Sequence, residues 1–72
     1  MDELELLLRI TGIKHSRAPN GIFISSSLVV SIGYYPYGSL TLWETSHGWR
    51  RVDNSTDPAV IFNAIQIGRA HV

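Results

Sequence analysis

From Leu28 to Trp43 apolar side chains recur at every second position, and the pattern is interrupted at Tyr35-Pro36-Tyr37-Gly38. Period-two alternation on both sides of a turn tetrad leaves little choice but an antiparallel hairpin. Proline suits the second position of a type I turn, and glycine suits the left-handed position that follows and closes a G1 bulge. Such a loop sets Tyr35 opposite Ser39, and the register follows: Tyr34 with Leu40, Ile32 with Leu42, Val30 with Glu44. One face then collects Leu28, Val30, Ile32, Tyr34, Leu40 and Leu42, so turn chemistry and hydrophobic alternation agree.

Thr45-Ser46-His47-Gly48 repeats the device. It places Glu44 opposite Arg50, Trp43 opposite Arg51 and Leu42 opposite Val52, giving a cross-strand ion pair and an aromatic–cation pair from one register. The second face carries Val29, Tyr35, Thr41, Trp43, Trp49 and Arg51, with Gly33 diagonal to Trp43 so that the indole can lie over bare backbone. Upstream, Ile22 to Ser26 and Leu28 to Tyr34 read as strands separated by the serines at 25 to 27. Residues 13 to 21 read as a connection that holds a short edge strand before the turn at Pro19-Asn20-Gly21.

Helical signals flank the strands. Asp2 followed by Glu5 resembles a capping box, and Gly12 supplies a left-handed stop. On a helical wheel Leu4, Leu6, Leu7, Leu8 and Ile10 sweep an arc of roughly 200°, wider than one core needs. A second helix should open at Asp57-Pro58 and run to about Ile67, with Gly68 as its stop. Its interior from Ala59 to Ile67 holds no charge. The fold class is therefore α+β: a two-layer single domain spanning residues 1–72, with an N-terminal helix, a three- to four-stranded antiparallel meander and a C-terminal helix, both helices on one sheet face.

Composition excludes several functions. Without cysteine, the chain has no disulfide framework, no thiolate metal site and no thiol nucleophile. No apolar run reaches the ~20 residues a membrane span needs, and Asp2 and Glu3 replace the basic start of a secretory leader. The expectation is a soluble, cytoplasmic chain. At 72 residues a single core is marginal, which favours pairing with a second copy or a larger partner.

Catalytic constellations are weak. His15, His47 and His71 lack the spacing that presets a metal site, so neither metal nor cofactor is expected. Ser46, His47 and Asp53 are the residue types of a hydrolytic triad, but adjacent residues in a tight turn do not direct a serine hydroxyl at the next imidazole unaided, and no strained elbow surrounds Ser46. Glu44 has a structural partner in Arg50. No glycine-rich run precedes a helix as a phosphate cradle does. The chain reads as a non-enzyme.

Helix, three strands, helix is the order of the double-stranded RNA-binding domain, a topological likeness only. Lysines grip phosphates at the start of that module's second helix, whereas here the start reads Asp57-Pro58-Ala59-Val60. A net charge of zero also lacks the electrostatic footprint of a phosphate binder. What remains of that class is an aromatic and arginine sheet face with Lys14, Arg17 and Arg50 nearby.

Tyr35, Tyr37, Trp43, Trp49 and Arg51 are the residue types enriched at interface hot spots. The rival placement packs both indoles under a loop or under the connection at 13 to 21. The sequence thus points to a non-catalytic protein-binding module, homodimeric, that regulates or inhibits a larger protein; accessory proteins that phages direct at host machinery are one such class. A nucleic-acid-binding regulator is the competing expectation, and an enzyme subunit whose site another chain completes is a third.

Overall fold

Asp2, Glu3 and Glu5 crowd the first turn of helix α1 (Asp2–Ile10), and Arg9 occupies its last, so the charges complement the helix dipole. A Schellman motif ends it. The Ile13 N–H donates to the Leu8 carbonyl at 2.9 Å and the Gly12 N–H to the Arg9 carbonyl at 3.1 Å, with Gly12 at φ +73°. This reversal brings Leu8 and Ile13 together, and both are buried.

The computed structural model describes residues 2–25, 27–33 and 38–70, the side chains of 69 and 70 excepted. Five strands follow α1: β1 (Ser16–Ala18), β2 (Gly21–Phe23), β3 (Leu28–Ile32), β4 (Leu40–Glu44) and β5 (Arg50–Ser55). They form one antiparallel sheet in the order β1-β2-β3-β4-β5. The two-layer α+β architecture is as the pattern predicts. The strand count rises to five because both short segments around Pro19-Asn20 pair, Arg17 with Ile22 and Ile22 with Val30.

The first hairpin departs from the predicted register by two residues. Ile32 faces Leu40, Val30 faces Leu42 and Leu28 faces Glu44, while the Gly33 N–H donates to the Ser39 carbonyl at 2.8 Å. Gly38 is left-handed at φ +85°, as expected of it, but the loop it closes is longer than the three-residue one assumed. A slip of two preserves every side chain's face, so Leu28, Val30, Ile32, Leu40 and Leu42 still share one. Glycine at 33 permits the new pairing, because a Cβ there would collide with Ser39 Oγ.

The second hairpin begins in the predicted register, with Glu44 facing Arg50 and Trp43 facing Arg51. Between Leu42 and Trp43 it shifts by one residue, so that Leu42 faces Asp53 in place of Val52 and Thr41 faces Asn54. Val52 is the extra residue of a β-bulge, which no local turn signal announces.

Helix α2 (Pro58–Ala70) starts as expected: Asp57 Oδ1 accepts the Ala59 N–H at 3.0 Å, and proline fills the first helical position. It does not stop at Gly68. The helix passes through that residue to Ala70, because Gly68 has no positive φ and its α-hydrogen lies over the Leu28 methyl groups.

Leu4 and Leu8 of α1, Ile61 and Ile65 of α2, and Ile22, Leu28, Val30, Leu40 and Leu42 of the sheet form a single buried cluster. Both helices therefore cover the same sheet face. Arg17 clips edge strand β1 to α1 through Asp2 at 3.5 Å and Glu5 at 3.6 Å, surface pairs worth up to about 1 kcal/mol each. The wide arc of α1 is only partly used: Leu6 is 54% exposed and Ile10 73%, on the side turned away from the core. Among the described residues, no helix is long and apolar enough to cross a membrane.

Candidate functional site

Side chains of a sheet alternate between its faces, so the registers place the remaining residues on the face opposite the helices. One row crosses all five strands there: Ser16, Phe23, Val29, Trp43 and Arg51, each paired with the next. Behind it runs a polar row of Ser31, Thr41 and Asn54, tied by a hydrogen bond from Asn54 Nδ2 to Thr41 Oγ1 at 2.7 Å.

Trp43 is anchored. Its Nε1–H donates to Ser31 Oγ at 2.8 Å, which holds the half-buried indole across β3. The diagonal partner is thus Ser31 and not Gly33, a consequence of the two-residue slip in the hairpin register. The aromatic–cation pair expected with Arg51 is replaced as well. Arg51 is the strand partner of Trp43, but the ring contact is made by Trp49, edge-on at 5.9 Å between centroids and 70° between planes. Edge-to-face geometry directs the positive ring edge of one indole at the negative face of the other.

Trp49 is 66% exposed, which overturns its placement beneath the connection at 13 to 21. Tyr35 and Tyr37 lie outside the described residues. Phe23, 49% exposed and second in the row, between Ser16 and Val29, is not among the residues the sequence singles out. Its signal was present in Ile22-Phe23-Ile24, whose alternation turns two isoleucines inward and the phenyl ring out.

The turn at 45–48 builds a second polar group. Glu44 Oε1 accepts the Ser46 N–H at 2.7 Å and also the Ser46 hydroxyl. Ser46 Oγ meets His47 Nδ1 at 3.0 Å, a contact that adjacent residues in a tight turn do not make unaided. Glu44 makes it possible by drawing the hydroxyl into place. The proton count decides its chemistry: a carboxylate only accepts, so the hydroxyl proton points at Glu44, and Nδ1 must be the donor to Oγ. His47 therefore cannot take the Ser46 proton as a general base in this arrangement. The Ser46 hydroxyl, then its N–H, and behind them the charges of Arg50 and His47 hold the Glu44 carboxyl below its usual range.

Of the cations grouped with the aromatic face in the nucleic-acid reading, Arg17 and Arg50 occupy the opposite side. Arg17 is paired with α1, and Arg50 with Glu44 at 4.0 Å. Arg51 stays in the row, and Lys14 lies beside Phe23 at the β1 edge. No known protein family, curated protein or solved structure matches this chain.

Proposed function

We propose that this chain is a non-catalytic protein-binding module, a regulator or inhibitor of a larger protein, that uses the outer sheet row as its docking face. The observation that carries the reading is the Trp43–Trp49 pair: one indole anchored to Ser31, the other 66% exposed against it. An aromatic pair with Arg51 beside it and Phe23 farther along the same row offers large contact area at low entropic cost, the make-up of a hot spot. Two arginines turned to the other face weaken the nucleic-acid alternative, because a stacking platform needs backbone-neutralising cations beside the rings.

Self-association is assigned to another surface. Leu6 and Ile10 on the outward side of α1 are aliphatic, like a core cut in half, which is the character of homodimer contacts.

The test is affinity capture by the tagged chain beside two variants. Trp49→Ser should lose the captured protein, at about 2 kcal/mol for a hot-spot residue, while circular dichroism stays unchanged. Leu6→Ser should retain it. Capture that is indifferent to Trp49→Ser refutes the docking face, and salt-steep oligonucleotide binding that falls with Arg51→Ala and Lys14→Ala establishes the alternative.

A further inference from the structure

On the helix side of the sheet, between the C-terminal half of α2 and the β4–β5 hairpin, lies a cavity of about 670 Å³. Its floor is Leu42 and its walls include Val52 and Ile67, so two of the exposed large apolar residues of the chain meet in one concavity. The bulge creates its chemistry. In a regular ladder Leu42 would face Val52, and Asp53 would turn to the outer face; the extra residue turns both Val52 and Asp53 toward the cavity.

The two carboxylates there are unequally paired. Glu44 is matched by Arg50 and by the Ser46 donors. The Asp53 carboxylate accepts the neighbouring Asn54 N–H at 2.8 Å, and among the described residues no cation lies within ion-pair distance of it. This apolar hollow, within the usual volume range of ligand sites, is lined by Glu44, Asp53, Arg50 and His47, and among the described residues Asp53 is its carboxylate without an ion-pair partner.

We propose that this cavity binds a small molecule with an apolar body and a cationic head, an amine whose ammonium group meets Asp53 while its hydrocarbon covers Val52 and Ile67. The site is independent of the aromatic docking face, which lies across the sheet.

The experiment is a titration followed through backbone amide shifts, with n-octylammonium, n-octanoate and methylammonium as probes. Octylammonium should shift Val52, Asp53 and Ile67 saturably, and the other two should not at equal concentration. Asp53→Asn should weaken it about tenfold, the loss of one charge-assisted contact, and Ile67→Ala should weaken it severalfold by removing apolar wall. Trp43→Phe should leave it unchanged. Octanoate binding as well as octylammonium, indifference to Asp53→Asn, or no shift at Val52 and Asp53 would overturn the assignment.

Discussion

Ser31 is a small residue with a large part in the geometry of the outer face, since its hydroxyl is what the Trp43 indole N–H reaches. Ser31→Ala leaves that donor on a half-buried ring without its partner, at a cost of about 1 kcal/mol. Urea unfolding of the variant should show that loss, together with a changed near-ultraviolet circular dichroism signal from the indole pair. Glu44 offers a pH readout. Its carboxyl is held below the ordinary value of 4.5 in the folded chain, first by the Ser46 hydroxyl. A lowered folded value means that the stabilisation is complete above the unfolded value and is lost as pH falls through the folded one. Urea midpoints should therefore decline on acidification below the usual carboxylate range, and Glu44→Gln should flatten that part of the curve. Neither contact was readable from the chain. Trp43 and Ser31 are brought together by the hairpin register, and Ser46 reaches His47 only because Glu44 steers the hydroxyl.

At the scale of elements, two glycines give opposite expectations for the same substitution. Gly12 closes α1 at φ +73°, so Gly12→Ala should destabilise by about 1 kcal/mol. Gly68 lies inside α2 without a positive φ, and an added Cβ would meet a Leu28 methyl at 3.6 Å, ordinary contact. Gly68→Ala should therefore stabilise by roughly 0.5 to 1 kcal/mol, measured as a raised urea midpoint at unchanged slope. Sequence made these glycines look alike, as two helix stops, because residue type does not report φ. The hairpins show the same limit. Alternation assigns a side chain to a face, and every assignment on β3 and β4 held. It is blind to slips by an even number, which is how the pairing of Ile32 moved from Leu42 to Leu40. The bulge at Val52 is an odd slip, and it changes what Asp53 faces.

The whole molecule is a sheet with one face committed to its own helices and the other presenting Phe23, Trp43, Trp49 and Arg51. The helix layer adds a second apolar surface at Leu6 and Ile10. If the latter pairs two copies, sedimentation equilibrium should return a dimer mass for the native chain and for Trp49→Ser, and a monomer mass for Leu6→Ser combined with Ile10→Ser. A dimer that dissociates on Trp49→Ser would move self-association to the sheet face. The layer order and the outward parity of Trp43 were legible because they depend on periodicity alone. Alternation places Phe23 in a strand, but its membership of the row depends on its pairing with Val29, and the serines at 25 to 27 set no register for that pairing.

The most direct test concerns whether the indole pair is open ground or buried structure. In a Trp43→Phe chain Trp49 is the sole indole, and the phenyl ring preserves an edge-on neighbour for it. Acrylamide quenching of its fluorescence in the dilute monomer should approach that of a free tryptophan amide and fall when a captured protein partner is added. A Trp49 that is already shielded in the isolated monomer, with quenching far below the free amide, would contradict the docking face and make the aromatic pair part of the chain's own core.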